Sequence, residues 1–330
     1  MWRKRGPGKL VQRGRSITNG AVVGDKGYIR QRTLAGEVAC HGIGLHGGDR
    51  IAMALLPAAP DTGILFRRTD VDVSIPAIWS SAVDASLCSV LSNGDGIEVR
   101  TVEHLMAALR GCGIDNAIVD VDGPEVPAMD GSAAPFVAMI ERAGTIVQER
   151  PRRAIKVLKP VCVSSNGVSA ALLPDHGFSM SFEIDFDNPM IRRQDMAMSF
   201  EPGTFKAELS RARTFGLFED VARLQAAGLA RGGSLDNAVV ISGDRILNEG
   251  GLRFADEFVR HKLLDAYGDL YLAGGHIIGS FQGSRSGHAH TRQLLAALFA
   301  DPDAWCATTL APADALPAMA WPQAAQRAVA

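Results

Sequence analysis

The sequence predicts an α+β protein of two similar domains, in which each domain is a β-sheet with two helices. Three observations support this prediction. The chain has 330 residues, which is more than one ordinary hydrophobic core holds. In its first half, short β-like runs precede two helical patterns. The second half repeats that order, and such a repeat is typical of α+β domains related by duplication.

The first domain is predicted to span residues 31–150. Its strands include the runs GILFRRT and NAIVDVDG. The segment TVEHLMAALRG predicts a helix with Thr101 as its N-cap and Gly111 as its C-terminal stop. A second helix, SAAPFVAMIERAG, is also ended by a glycine. The charged segment QERPRRAIKVLKP contains two prolines and predicts a domain boundary near residue 150.

The second domain is predicted to span residues 151–303. The strand-like runs AIKVLKPVCVSS and SMSFEIDFD precede two helices, over residues 254–273 and in SGHAHTRQLLAALFAD. An insertion of mixed helix and strand interrupts this domain at about residues 216–242. Residues 304–330 are rich in Ala and Pro and are expected to form a C-terminal tail. Residues 1–30 lack the apolar stretch of a secretory signal and are expected to form a disordered extension.

The composition excludes several classes of function. Hydrophobic residues make up 47% of the chain and charged residues 21%, which is typical of a globular protein. With a formal net charge of −2, the chain lacks the basic excess of a general nucleic-acid binder. No apolar run approaches the ~20 residues of a membrane span. The five cysteines are scattered and form no C-x-x-C pair, which indicates a reducing compartment and no cysteine zinc site.

The segment EFVRHKLLDAYGDLYLAGG, residues 257–275, carries the main functional signal. His261, Asp265 and Asp269 are four residues apart, so they share one side of a helix. The rest of that part of the helix is apolar almost all round, which predicts that it is buried. Buried carboxylates need partners. A metal ion held by His261 and Asp265 is one explanation, and a core histidine with an aspartate partner is the other.

Two further segments favour a metal site. Glu103 and His104 lie in an otherwise apolar helix start, where they supply a third ligand and an adjacent carboxylate. His288 follows a Gly-rich loop, also at a helix start. Simpler explanations exist, since Glu103 suits any helix N-terminus and His288 would serve as a surface cap residue. Two imidazoles and one carboxylate suit catalytic zinc, and iron(II) accepts the same ligands.

These segments resemble the UDP-3-O-acyl-N-acetylglucosamine deacetylase family. The motifs that carry the resemblance occur in the family's order over roughly residues 30–300: TVEHLMAAL, PEVPAMDGSAAPFV, SRARTFG, GGSLDNAVV, LNEGGLRFADEFVRHKLLDAYGDL and SGHAHTRQLL. The resemblance implies two domains whose helices pack together between outer sheets, with the site between the domains. It also implies a cytoplasmic, zinc-dependent enzyme that removes acetate from UDP-3-O-(3-hydroxyacyl)-N-acetylglucosamine, the committed step of lipid A synthesis in Gram-negative bacteria.

The resemblance assigns roles to the polar residues of these motifs. His104, His261 and Asp265 match the family's three zinc ligands. Glu103 matches its general base, and His288 matches the histidine that acts as general acid. The family likeness therefore agrees with the metal site that the residues alone favour.

Further roles concern the acid and the substrate. Asp269 matches the carboxylate that orients the acid, and Thr214 matches the hydroxyl that helps to hold the oxyanion. Lys262 matches a contact to the substrate's phosphates, although from its position alone it would be a solvated lysine. The other residues expected to bind substrate are Phe215, Leu87, Cys88, Gly233 and His46.

In the family, the region that matches residues 216–242 forms an apolar passage for the acyl chain. Its apolar residues here are Leu217, Phe218, Leu224, Leu229, Leu235, Val239 and Val240. From the residues alone, an ordinary small βαβ core is the alternative. Three features depart from the family pattern: the N-terminal extension, the rearranged loop FQGSRSGHAH, and His290, a second imidazole near the proposed acid.

The expected partner is a nucleotide-sugar lipid precursor, with no nucleic acid and no transmembrane segment. The protein is expected to be a monomer. Two other functions stay open at this point. One is a related zinc amidase or deacylase with another substrate, and the other is a non-catalytic metal-binding paralog.

Overall fold

The computed structural model describes residues 27–85 and 87–312 and confirms the α+β class. The predicted N-terminal extension up to residue 26 and the predicted tail beyond residue 312 lie outside the described residues. The strands of the first half are β1 (Arg30–Leu34), β2 (Val38–Ile43), β3 (Arg50–Pro57), β4 (Ile64–Arg68), β5 (Val73–Pro76), β6 (Ala82–Val83), β7 (Val90–Ser92), β8 (Glu98–Arg100), β9 (Ala117–Val121) and β10 (Thr145–Pro151).

The second half contains further strands and most of the helices. Its strands are β11 (Arg153–Val157), β12 (Val161–Ser165), β13 (Val168–Leu173), β14 (Phe178–Phe186), β15 (Arg192–Ser199), β16 (Phe215–Leu217), β17 (Val239–Ser242), β18 (Arg245–Ile246), β19 (His276–Ser284) and β20 (Trp305–Thr309). The α-helices of the described chain are α1 (Glu103–Gly111), α2 (Ala134–Ala143), α3 (Phe218–Ala226), α4 (Glu257–Asp269) and α5 (His288–Ala300). Short helical turns lie at Trp79–Ser81, Phe205–Leu209 and Leu270–Ala273.

The first main sheet has the strand order β2-β3-β9-β4-β5. Its pairs are antiparallel except β4 and β9, which run parallel with Ile64 opposite Ala117. Alternate residues of β3 are buried, so one face of the sheet faces the core and the other faces solvent. β10, the last strand of this half, pairs antiparallel with β1.

The second main sheet is organised around β19. The first residues of this strand, His276–Ile278, pair with β11, and the rest of the strand pairs with β13 and with β14. β20 adds to β11 as an antiparallel strand, with Val157 opposite Trp305. The prediction that the chain forms a tail from residue 304 is therefore wrong for Trp305–Thr309. The strand forms because β11 offers an unpaired edge, a tertiary effect that overrides weak local signal.

The start of α1 also differs from the prediction. The N-cap position is Val102, not Thr101, and the helix begins at Glu103. Thr101 has a left-handed backbone with φ of 57°, and its hydroxyl donates to Oε1 of Glu125 at 2.8 Å. The hydroxyl thus anchors the turn before α1 to another segment. Strain of this kind persists where surrounding contacts enforce it, often at functional sites.

The helices pack together between the two main sheets, as the family likeness implies. α1 contacts α2 and α4, and α4 contacts α5. α2 rests on β2, α4 on β14 and β15, and α5 on β12 and β13. The buried Arg110 of α1 donates to the carbonyl of Tyr267 in α4 at 2.9 Å. One hydrophobic cluster includes residues of both sheets and of these helices.

The insertion is a small βαβ unit, the architecture that its residues alone predicted. β16 and β17 run parallel, α3 connects them, and β18 pairs with β17. The division of the chain into domains near residue 150 stays a prediction. No helix among the residues that the structure describes is long and apolar enough to cross a membrane.

Candidate metal centre and active site

The three residues predicted as metal ligands meet where α1 packs against α4. His104 lies in the first turn of α1, and His261 and Asp265 lie one turn apart on α4. Their ligand atoms all lie within 4.8 Å of one another. Nε2 of His104 is 3.3 Å from Oδ1 of Asp265, and Nε2 of His261 is 3.2 Å from the same oxygen. Two nitrogens and one oxygen therefore converge as in a three-ligand metal site.

The donor set fits a divalent metal ion. Oδ1 of Asp265 is buried and accepts no hydrogen bond from the described residues, which is costly for a carboxylate without a cation. Nδ1 of His261 donates to the carbonyl oxygen of Ala212 at 3.1 Å, so its Nε2 keeps a lone pair toward the cluster. Burial lowers the pKa of His261 to about 4. The imidazole is therefore neutral near pH 7, the form that binds metals.

Lys262 is not the solvated lysine that its position alone predicts. Its Nζ lies 2.7 Å from Oδ2 of Asp265, and its side chain is 18% exposed. Burial acts to lower the pKa of Lys262, but the Asp265 carboxylate outweighs burial and raises it. His261 and Lys262 together outweigh burial and hold the pKa of Asp265 well below its usual range. Lys262 therefore keeps its charge beside the cluster.

Glu103 and His288 face each other across the same space. Oε1 of Glu103 lies 3.7 Å from Nε2 of His288, and Nδ1 of His288 lies 2.8 Å from Oδ2 of Asp269. Burial raises the pKa of Glu103. Burial alone would lower the pKa of His288, but the Asp269 and Glu103 carboxylates raise it to about 9. The geometry thus pairs a carboxylate with a protonated imidazole, as general acid–base chemistry requires.

Ser89 joins these groups and was missed by the sequence reasoning. Its hydroxyl donates to Oδ1 of Asp269 at 2.6 Å and lies 3.3 Å from Nδ1 of His288. Its backbone N–H donates to Oε2 of Glu103 at 3.0 Å. No sequence signal marks Ser89, since it is one serine in the run LCSVLS and its partners lie up to 199 positions away.

A cavity of about 870 Å³ opens beside the cluster. Its walls include Glu103, His288 and the three predicted ligands. Thr214, predicted to help hold the oxyanion, also lines it. The residues predicted to bind substrate that line it are His46, Leu87, Phe215, Gly233 and Lys262. The catalytic candidates therefore border a space large enough for a sizeable ligand.

Cys88 is the predicted substrate-binding residue that the structure places elsewhere. It is 3% exposed and borders a smaller pocket together with Ser89 and Asp269. The preceding Leu87 has a left-handed φ of 71° and is 55% exposed. Leu87 thus lines the large cavity, while the side chain of Cys88 is buried.

Apolar residues of the insertion also line the cavity. Of those predicted to form a passage, the lining ones are Leu217, Phe218, Leu224, Leu235 and Val240. Leu229 is not among the lining residues, and Val239 is fully buried in the βαβ core. Phe186, Ile191 and Leu247 also line the cavity and were not predicted, because they come from strands and turns outside the insertion.

Thr214 and His290 complete the predicted set. The N–H of Thr214 donates to the carbonyl of Gly131 at 2.8 Å, and its own carbonyl accepts from Val239 at 2.8 Å. Two segments therefore hold Thr214 at the cavity wall. His290 also lines the cavity, but its Nε2 lies 3.4 Å from Oγ of Ser165 on the second sheet.

Comparison with known proteins decides the family. A model of LpxC, UDP-3-O-acyl N-acetylglycosamine deacetylase, matches residues 31–300. The chain belongs to this family. The match covers the first main sheet, the second main sheet except β20, and all five helices of the described residues. The strand β20 follows the matched region.

Similar proteins in several bacteria carry the name UDP-3-O-acyl-N-acetylglucosamine deacetylase. The protein from Vibrio parahaemolyticus serotype O3:K6 is 50% identical over 285 residues, which is 85% of this chain and 93% of that protein. One from Vibrio cholerae (strain M66-2) is 50% identical over 281 residues, 84% of this chain and 92% of its own length. One from Shewanella frigidimarina is 48% identical over 281 residues, with 84% and 92% covered.

Proposed function

We propose that this protein removes the acetyl group of UDP-3-O-(3-hydroxyacyl)-N-acetylglucosamine in a zinc-dependent hydrolysis, the committed step of lipid A synthesis. Membership of the deacetylase family supports the substrate and the reaction. One observation carries the assignment of the site. The cluster of His104, His261 and Asp265 adjoins both Glu103 and His288 in the wall of the large cavity.

His104, His261 and Asp265 would hold the metal. Zinc suits two imidazoles and one carboxylate, and iron(II) is the alternative that a metal analysis distinguishes. When bound, a zinc ion lowers the pKa of water and polarises a carbonyl group. Lys262, which shares the Asp265 carboxylate, would contact the diphosphate of the nucleotide.

The chain's own groups move the protons. Glu103 takes a proton from the attacking water as the water oxygen bonds to the acetyl carbon. The Thr214 hydroxyl donates to the oxygen that becomes negative. His288, kept charged by Asp269, gives its Nε2 proton to the sugar nitrogen as the carbon–nitrogen bond breaks. The products are the free amine and acetic acid, which ionises to acetate. Glu103 is left protonated and His288 neutral, and transfer of that proton from Glu103 to His288 restores both groups, so atoms and charge balance.

The cavity supports a preference for an acylated substrate. The insertion residues Leu217 and Val240 and the strand residue Phe186 give it apolar walls. Each buried methylene of an acyl chain contributes ~0.8 kcal/mol, so the chain would dominate affinity. We place the reaction in the cytoplasm, where the nucleotide-sugar precursor occurs, and expect a monomer.

Acetate release and bound metal, measured in one sample, test this proposal. We expect release from the acylated nucleotide sugar and little from UDP-N-acetylglucosamine. His261→Ala should lose both metal and activity, whereas His176→Ala, an exposed histidine on another surface, should lose neither. Release from an unrelated amide only would indicate an amidase with another substrate. Metal binding without hydrolysis would indicate a non-catalytic paralog.

A further inference from the structure

Ser89 occupies the junction between the two halves of the proposed acid–base pair. It follows the left-handed Leu87 and directly precedes β7, and it is 9% exposed. Its hydroxyl and its backbone N–H point to different partners, the hydroxyl to Asp269 and the N–H to Glu103. One residue therefore contacts the carboxylate behind the acid and the carboxylate that acts as base.

The hydroxyl bond determines how Asp269 meets His288. A carboxylate can rotate and offer either oxygen, so its direction needs a second anchor. The Ser89 hydroxyl holds Oδ1 at 2.6 Å, which leaves Oδ2 for Nδ1 of His288 at 2.8 Å. With the ring held through Nδ1, its Nε2 points toward Glu103, 3.7 Å away. A hydrogen bond to a charged group contributes more than one between neutral groups.

The backbone bond acts on the base in the same way. The N–H of Ser89 holds Oε2 of Glu103 at 3.0 Å, and Oε1 is the oxygen that faces His288. This contact is independent of the side chain at position 89. Substitution of Ser89 therefore tests the contacts of the hydroxyl with Asp269 and His288 and leaves the anchor of Glu103 in place.

We propose that Ser89 is a positioning residue for the deacetylation, whose hydroxyl fixes Asp269 so that His288 is aimed at the leaving nitrogen. The proposal rests on the proposed function. It differs from a purely structural role, because a structural serine would affect stability and metal binding as much as turnover. A positioning serine should affect kcat and leave KM and metal content close to wild type.

The test is a double-mutant cycle with zinc-loaded protein and the acylated nucleotide sugar. We expect Ser89→Ala to lower kcat about 10- to 100-fold, the equivalent of one hydrogen bond to a charged group. Ser89→Thr keeps the hydroxyl and should restore most of the loss. In an Asp269→Asn background, Ser89→Ala should have little further effect, since the bond to the carboxylate is already changed.

A matched control is Ser179→Ala on β14 of the second sheet. It removes a partly buried hydroxyl that donates to Asp175, 3.3 Å away, and should leave kcat unchanged. Equal losses for Ser89→Ala with and without Asp269→Asn would overturn the proposal. The proposal would also be overturned by a Ser89→Thr variant that has a normal melting temperature but turns over as slowly as Ser89→Ala. Failure of the proposed function is distinguishable, because wild-type protein would then release no acetate in the same assay.

Discussion

A single methyl group at Gly268 tests whether helix packing sets the geometry of the metal centre. Gly268 lies on α4, three residues after Asp265. A Cβ at this position would lie 2.0 Å from the carbonyl oxygen of Glu103 and 3.0 Å from the backbone nitrogen of Ala107, both on α1. Close carbon–oxygen contacts in proteins are about 3.3 Å. The two backbones would thus have to separate by roughly 1.3 Å to accept alanine.

That separation acts directly on the proposed ligands. His104 follows Glu103 on α1, whereas His261 and Asp265 lie on α4. Metal–ligand distances tolerate only about 0.2 Å, so Gly268→Ala should weaken zinc binding by on the order of 10- to 100-fold, as loss of supporting contacts does. Overpacking should lower the free energy of unfolding by about 1–3 kcal/mol, and the better helix propensity of alanine offsets about 1 kcal/mol of this.

The assay is competition for zinc with a chromophoric chelator, combined with thermal melting of the metal-free protein. Gly111→Ala is the matched control, because a Cβ there would lie equally close, 2.0 Å, to the ring of Phe205, at the other end of α1 from His104. It should lower stability and leave the zinc affinity unchanged. If Gly268→Ala bound zinc as tightly as wild type, or if both variants lost zinc equally, the reasoning would be wrong.

Three further outcomes are expected. His288→Ala should keep its metal but lose about 10²- to 10⁴-fold in kcat, and near-normal turnover would point to His290 as the acid. Val240→Phe should raise KM for long acyl chains more than for short ones, since loss of three or four methylene contacts is worth ~2–3 kcal/mol. An equal loss of activity at every chain length, together with a lower melting temperature, would instead indicate a simple βαβ core. Burial and Arg152 lower the pKa of His276 to about 4 despite a nearby carboxylate. As pH falls, His276 is protonated in the unfolded chain before it is protonated in the folded protein. The free energy of unfolding should therefore fall by up to about 3 kcal/mol as pH drops from ~6.5 toward the folded pKa of about 4. His276→Gln should flatten this decline in pH-dependent denaturation curves, and an unchanged slope would contradict the assignment.

Local patterns in the sequence predicted much of the site. His261 and Asp265 share a helix face because helical periodicity places residues i and i+4 together, and α4 confirms that face. The apolar surroundings of these residues correctly predicted a buried helix. The glycine stop of α2 is also as predicted, with Gly144 at a left-handed φ of 71°. Such features depend on neighbours within a few residues, so they can be read without the fold.

Other local predictions failed because distant segments override them. Thr101 has the residue type of an N-cap, but its hydroxyl is taken by Glu125 and the helix starts later. Lys262 has the position of a solvated lysine, but its side chain is largely buried and Asp265 pairs with its charge. The segment after residue 304 has little strand signal, yet Trp305–Thr309 pairs with β11.

The sequence by itself therefore determined the α+β class, the helix faces and the residues that converge as candidate metal ligands. The tertiary structure alone decided that Ser89 joins Asp269 to Glu103, that Cys88 faces away from the large cavity, and that Phe186 helps to line it. The physical reason is the range of the interactions. Periodicity and capping act over a few residues, whereas a buried hydrogen bond or a cavity wall forms only when packing brings remote segments to within contact distance.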